Sequence, residues 1–117
     1  RHVSLKELKD EPFIMVDLPH SRQYFESIFT KLSAKKKVKY RSTSPHYVRS
    51  MVANGMGYSL MNIPTGSNYA VDGAEFVNIP LSDKLKPLVM GAIMLKDIRM
   101  TKTASAFLDF CSEHFSD

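Results

Sequence analysis

The fold of this chain is decided by the stretch Pro12-Phe13-Ile14-Met15-Val16-Asp17-Leu18-Pro19-His20-Ser21-Arg22. Its first half is a short, continuous and partly β-branched apolar run, which is typical of a strand buried on both faces. A helical pattern follows, because Tyr24, Ile28 and Leu32 recur every four residues. Ser21 is the predicted N-cap of this helix. A buried strand that leads into an amphipathic helix is the first half of a parallel βαβ unit.

Strands and helices continue to alternate along the chain. Alternating residues from Val38 to Arg41 predict a strand with one wet face, and Ser44 with Pro45 opens a second helix that ends at Gly55. Further segments predicted by pattern are a short helix over 4–8, strands over 57–61, 76–79 and 88–95, and a last helix from Thr101 or Thr103. The order α-β-α-β-α-β-β-β-α predicts an α/β fold with a mostly parallel sheet and helices on both faces.

Composition places the chain among globular domains. Its 117 residues make one domain at most, and no apolar run approaches the ~20 residues of a membrane span. The net charge is +4, and the run Lys35–Lys37 is interpreted as the solvated end of a helix, with a phosphate-binding patch as the alternative. The single Cys111 excludes an intrachain disulfide and is predicted to be a buried small hydrophobe in a reducing cytoplasm. Because the sequence starts with Arg1, we expect a fragment of a longer protein.

The sequence lacks the common motifs of catalysis and metal binding. It contains no GxSxG, HExxH, P-loop or GxGxxG motif, and its four histidines do not pair at metal-ligand spacing. A hydrolase that uses Ser21 or Ser44 is one alternative, since His20 and His46 are close in sequence, but no third, orienting group is recognisable. We therefore expect no enzymatic activity, no cofactor and no metal.

Two predicted strand ends carry residues that suit a ligand. In parallel α/β sheets, ligands bind outside the carboxyl ends of the strands, near helix N-termini. Segments 18–22 and 42–46 offer hydroxyls and free backbone N–H groups there, which suit a carboxylate or a similar anion. For the serine in each segment, a plain helix cap is the alternative role. Arg22 either faces the anion or forms a surface ion pair with Glu26.

Four segments, taken in order, also carry a family resemblance. They are Ser4–Ile14, Pro19–Phe25, the glycine-containing stretch Val48–Leu60 and Phe107–Phe110. This ordered set resembles the C-terminal part of the effector-sensing domain of LysR-type bacterial transcription regulators. The resemblance implies a type 2 periplasmic-binding-protein-like fold, with residues 1–86 as its second subdomain. Residues 87–117 would be a return strand and C-terminal helix that belong partly to the first subdomain.

The resemblance implies a cytoplasmic regulator that senses a small anionic metabolite between its two subdomains. By position in the motif, the residues that face this effector are Pro19, His20, Ser21, Thr43, Ser44 and Asn62. The family binds DNA through a helix-turn-helix domain that has no counterpart in this sequence, and it assembles as a tetramer. For this chain alone we expect a dimer or a swapped dimer. The alternative function is half of an extracytoplasmic solute-binding protein, which shares the fold.

Overall fold

A computed structural model describes residues 1–62 and 65–115 of the chain. Its regular elements are a 3₁₀ helix at Leu5–Leu8, β1 at Pro12–Val16, α1 at Pro19–Lys31, β2 at Lys37–Ser42, α2 at Pro45–Ala53 and α3 at Lys102–Phe115. β1 and β2 pair in parallel, with Phe13 opposite Val38 and Val16 opposite Ser42. The helix α1 is therefore the crossover that two parallel strands require. The predicted α/β class is confirmed.

β1 lies at the centre of the fold because both of its faces are covered. Successive side chains of a strand point to opposite faces. Phe13 and Met15 belong to one buried cluster, while Ile14 and Val16 belong to a second cluster with Val48 of α2. The α1 side chains buried in the first cluster are Phe25, Ile28 and Phe29. Helices therefore cover both faces of the sheet, as predicted.

A short third segment, residues 57–62, joins β1 on the edge away from β2. The amide of Tyr58 donates to the carbonyl of Pro12 at 2.9 Å, and the amide of Ile14 donates to the carbonyl of Tyr58 at 2.8 Å. The hydroxyl of Ser59 adds a bond to the carbonyl of Ile14 at 2.7 Å. The pairing is parallel and consists of one bridge, so the strand predicted over 57–61 is only partly formed.

The Tyr58 ring completes the first cluster without a partner for its hydroxyl. Its ring centroid lies 5.1 Å from that of Phe13, and its buried hydroxyl oxygen has no hydrogen-bond partner among the described residues. Burial raises the pKa of the Tyr58 phenol to about 12, and the negative charge of Glu11 adds to the effect. The side chain therefore serves packing and stays neutral over the physiological range.

Local sequence determines how the helices begin and end. The Ser4–Glu7 capping box forms, and Ser44 caps α2 by accepting from the amide of Tyr47. Gly55 follows α2 with φ at +76°, a left-handed conformation that glycine adopts without strain. At the start of α3, the amide of Ala104 donates to the Thr101 hydroxyl at 3.1 Å. These predicted caps are confirmed.

Residues 81–83 lie against the start of the chain. Val3 forms a parallel bridge with Leu81. The carboxylate of Asp83 accepts from the amide of Leu5 at 2.8 Å and from the Ser4 hydroxyl at 3.1 Å. The 3₁₀ helix is thus bonded at its N-terminus to a residue 78 positions away.

Three predictions about the second half of the chain are wrong. Residues 76–79 and 88–95 do not form strands, because a strand needs a neighbour for its backbone groups along its length. The amide of Phe76 donates to the carbonyl of Asn68 at 2.8 Å, but no described segment pairs with the rest of these residues. Ile93 is 100% exposed, and Cys111 is only partly buried. The radius of gyration, 17.5 Å, exceeds the value of about 13 Å for a compact 100-residue domain.

The apolar residues of the last third accordingly remain uncovered. The Tyr24 hydroxyl donates a hydrogen bond to the carbonyl of Lys86 at 2.9 Å. Beyond it, α3 has no buried residue among those described. The exposed large hydrophobic residues of this part include Val89, Met90, Ile93, Leu95, Ile98, Phe107, Phe110 and Phe115.

The close approach of Gly57 to β1 generates the first prediction. Its φ is +151°, and a Cβ atom added there would lie 2.3 Å from the carbonyl oxygen of Pro12. We predict that Gly57→Ala lowers the free energy of unfolding by about 2 kcal/mol or more, because the third segment must move away from β1. Gly66→Ala is the matched control, since nothing lies within 4 Å of its added Cβ. Equal losses for both variants in chemical denaturation would contradict this reading.

Candidate functional site

The carboxyl ends of β1 and β2 meet at one edge of the sheet. Val16 lies opposite Ser42 at the end of the ladder, and the amide of Asp17 donates to the carbonyl of Ser42 at 2.8 Å. The third segment also runs parallel to β1, so its end at Asn62 leaves toward the same edge. The structure therefore brings the three predicted groups, 19–21, 43–44 and Asn62, to one edge of the sheet.

The helix α1 begins three residues earlier than predicted. Leu18 occupies the N-cap position without a side-chain hydrogen bond, and Pro19 is the first helical residue. Proline is favoured at this position because its ring presets φ and the missing N–H is not needed. The prediction that Ser21 is the N-cap is therefore wrong. Ser21 lies within the first turn, and its hydroxyl makes no hydrogen bond to another described residue.

The start of α1 leaves backbone donors unused. The first intrahelical hydrogen bond runs from the amide of Arg22 to the carbonyl of Leu18 at 2.7 Å. The amides of His20 and Ser21 are therefore outside the helical ladder, as expected of a first turn. His20 and Pro19 are exposed, while Ser21 is partly buried. This turn can present two N–H groups and one hydroxyl to a ligand.

The start of α2 is arranged differently. The Ser44 hydroxyl accepts from the amide of Tyr47 at 3.5 Å, and the Ser44 amide donates to the hydroxyl of Ser42 at 3.1 Å. Ser44 is thus confirmed as a cap, which was its alternative role. Thr43 beside it is exposed, and its side chain makes no hydrogen bond to another described residue.

No catalytic pair forms at this edge. His20 and His46 are both exposed, and neither is hydrogen-bonded to a serine among the described residues. Within residues 1–62 and 65–115, no group of three or more His, Cys, Asp or Glu side chains could hold a metal ion. The arrangement can bind and orient a ligand, and it offers no activated nucleophile.

The charges near α1 pair differently from the prediction. The guanidinium of Arg22 lies 2.8 Å from the carboxylate of Asp17, so Glu26 is not its partner. Glu26 is paired instead with Lys36. Lys36 lies between α1 and β2, and the run Lys35–Lys37 therefore does not end the helix as predicted. The prediction considered only partners three or four residues away within the helix. Asp17 precedes the helix and lies outside that rule, yet it reaches Arg22 in the first turn.

A small hairpin over residues 68–76 was not predicted. It contains an antiparallel bridge between Tyr69 and Glu75, and its tip carries Asp72-Gly73. The side-chain amide of Asn54 donates to the carboxylate of Asp72 at 2.9 Å and fastens the hairpin to the end of α2. This bond, with a bond from the Ala74 amide, lowers the pKa of Asp72. The Asp-Gly pair is a known hairpin signal and could have revealed the turn.

The hairpin, α2 and the third segment enclose a cavity that sequence reasoning also missed. Its lining includes Arg49 of α2, Ser59 of the third segment and Phe76 at the base of the hairpin. These residues come from distant parts of the sequence, and no motif connects them. Arg49 is the functional candidate that only the folded chain reveals.

Comparison with known families agrees with this architecture. The family model described as the LysR substrate binding domain matches residues 1–116. This chain belongs to the LysR substrate-binding domain family. Its fold is therefore that of the periplasmic-binding-protein-like sensors of LysR-family transcription regulators.

Solved structures of LysR-family regulators superpose on the chain. HinK, a LysR family transcriptional regulator from Pseudomonas aeruginosa, is 34% identical, with a TM-score of 0.90. The alignment covers 99% of this chain and 41% of HinK. The PA01 protein from the same organism, assigned to the same family, is also 34% identical, with a TM-score of 0.83 over 99% of this chain and 42% of that one.

A more distant relative shows the same fold. The C-terminal domain of a LysR family regulator from Rhodococcus sp. RHA1 is 20% identical, with a TM-score of 0.79 over 95% of this chain and 55% of that one. No protein among those with curated descriptions matches the chain. This LysR-family chain thus spans about two fifths of the two regulators to which it is 34% identical.

The described part of this LysR-family chain contains no helix that is both long enough and apolar enough to span a membrane.

The different roles of the two serines generate a stability prediction. Ser44→Ala removes the cap of α2 and should lower the free energy of unfolding by about 1 kcal/mol. Ser21→Ala removes a hydroxyl that bonds to no described residue and should change it by less than about 0.5 kcal/mol. Urea denaturation of both variants measures the difference. A larger loss for Ser21→Ala than for Ser44→Ala would refute this assignment of roles.

Proposed function

We propose that this chain is the ligand-sensing part of a LysR-type transcription regulator and that it binds a small anionic metabolite. The observation that carries the proposal is the start of α1, which has no side-chain cap and lies at the carboxyl edge of the sheet. Helix N-termini favour anions, because their free N–H groups point outward and the helix dipole is positive there.

In this proposal the residues at the carboxyl edge of the sheet have different roles in binding. The Ser21 hydroxyl and the amides of His20 and Ser21 would donate to the anion, with Pro19 forming the wall beside them. Thr43 and Asn62 would add hydrogen bonds from the neighbouring strand ends. Ser44 would position the second loop through its cap and contact the ligand only secondarily.

The mechanism would be differential binding. A ligand held between this subdomain and another favours one relative orientation, and the change of orientation is then passed to a separate DNA-binding domain. We place the subdomain boundary after residue 86, so that 87–117 return to the other subdomain. This placement is supported by the uncovered apolar residues that follow Lys86.

The alternatives are weaker. An extracytoplasmic solute-binding protein would share the fold, but the family model that matches residues 1–116 is that of the LysR substrate binding domain. We therefore favour a regulator that acts in the cytoplasm, as a homo-oligomer. A catalytic role has no support in the geometry, because no described serine is bonded to a histidine.

The site can be tested by ligand binding in the intact protein. A panel of small mono- and dicarboxylates, with the matching neutral amides, is screened by thermal shift. We predict that at least one carboxylate stabilises the protein and that Ser21→Ala weakens its binding by about 1–2 kcal/mol in calorimetry, as for a hydrogen bond to a charged group.

Lys9→Ala serves as the control for this experiment, since Lys9 is exposed and lies outside the proposed site. Its affinity for the same carboxylate should equal that of the unaltered protein. If no carboxylate stabilises the protein, or if Ser21→Ala binds as tightly as the control, the proposed site is wrong.

The uncovered residues after Lys86 lead to a prediction about assembly. Large exposed apolar patches drive association between protein molecules. A strand or helix that lacks its partner can also take the same place in a second copy of the chain. We predict that the isolated 117-residue chain is a dimer or a swapped dimer at tens of micromolar in light scattering. Replacing Ile93 and Phe107 by serine should shift the mass toward the monomer. A monomeric mass for the unaltered chain would contradict the prediction.

A further inference from the structure

Helix α2 carries a cation, Arg49, that has no partner among the described residues. The Nε atom of Arg49 is buried and has no hydrogen-bond acceptor, and the side chain forms no ion pair with a described residue. Buried polar atoms without partners are rare in folded proteins. Leaving a charged donor unsatisfied costs more than leaving a neutral one. The environment of Arg49 therefore points to a missing acceptor.

Arg49 lines the cavity between α2, the third segment and the hairpin. The cavity measures about 50 Å³ and has further polar walls at Ser59, Thr65 and Asn78. A single water needs about 10–15 Å³ of such volume. The space therefore suits a group of about three or four heavy atoms, which is the size of a carboxylate with its attached carbon.

The donors and charges around the cavity favour an anion. None of the described residues that line it is acidic. Asp72, which lies on the same hairpin, is already bonded to Asn54. The hydroxyl of Ser59 donates to a β1 carbonyl, and the hydroxyl of Thr65 donates to the carbonyl of Ser67. Arg49 thus lines the cavity with a positive charge and with an Nε–H group that has no acceptor among the described residues.

The cavity adjoins a wider recess that could hold the rest of a ligand. Arg49, Thr65 and Phe76 line both spaces. The recess measures about 510 Å³ and adds Tyr69 and Val71 to its walls. A ligand with a charged head at Arg49 would therefore place its body against aromatic and aliphatic side chains.

We propose that Arg49 and the surrounding cavity form a second anion subsite, which takes the carboxylate of a small acid with an apolar body. The described residues that line the cavity lie within 49–61 and 65–78, so the subsite does not require another subdomain. It is also distinct from the start of α1, so it does not depend on the function proposed for Ser21.

The test uses the intact protein, calorimetry and two matched probes. The probes are 3-methylbutanoate and its neutral amide, which have the same shape and differ in charge. Arg49→Met removes the guanidinium and keeps an unbranched side chain. Asn78→Asp leaves Arg49 in place and puts a competing carboxylate in the wall of the cavity. Lys9→Ala is the control, because Lys9 is exposed and lines neither space. Ser21→Ala is measured beside it and shows whether the probe binds at the start of α1 instead.

We expect the carboxylate to bind the unaltered protein at millimolar concentration and the amide to bind at least about tenfold more weakly. Arg49→Met and Asn78→Asp should each weaken carboxylate binding by about tenfold or more, while Lys9→Ala stays within about twofold. Thermal unfolding shows whether each variant is folded. The proposal is overturned if the carboxylate does not bind, if acid and amide bind alike, or if folded Asn78→Asp binds normally. Loss of binding in Ser21→Ala alone would assign the probe to the α1 site and overturn it too.

Discussion

The burial of β1 on both faces is the constraint on which the rest of the structure depends. Phe13 and Met15 require an apolar cover on one side, and Ile14 and Val16 require one on the other. α1 and α2 supply these covers because they flank β2, which pairs with β1 in parallel. The same arrangement brings the starts of both helices to the carboxyl ends of the two strands. The candidate site is therefore a geometric consequence of how one five-residue strand is covered.

The elements that could be predicted from sequence are those whose stabilising contacts are close along the chain. The apolar run of β1, the proline and serine before α2, and Gly55 after it each determine structure within a few residues. Residues 88–95 show where this reasoning ends. Their apolar character indicates burial but does not specify what buries them, and no strand forms where no described neighbour offers backbone partners.

The candidate site also combines features that local sequence predicts with features that depend on distant parts of the chain. The strand order alone is enough to predict that the proposed ligand residues lie at the carboxyl edge of the sheet. The loops that carry them follow β1 and β2, and the parallel pairing of these strands brings both loops to that edge. The sequence predicts the wrong N-cap for α1 because two local rules compete, and the fixed φ of Pro19 prevails over the capping preference of Ser21. Arg49 could not be predicted at all. Its surroundings come from a helix, a partial strand and a hairpin that meet only in the folded chain.

The bond between Asp83 and Leu5 has a consequence for the order of folding during synthesis. β1, α1 and β2 follow one another in sequence, so their pairing can begin while the chain is still emerging from the ribosome. The amide of Leu5 bonds to a carboxylate that is synthesised 78 residues later. At translation rates of about 5–20 residues per second, this delay is about 4–16 s. Until then the 3₁₀ helix at Leu5–Leu8 is stabilised at its N-terminus by its own capping box, and the hydrogen bonds to Asp83 form late.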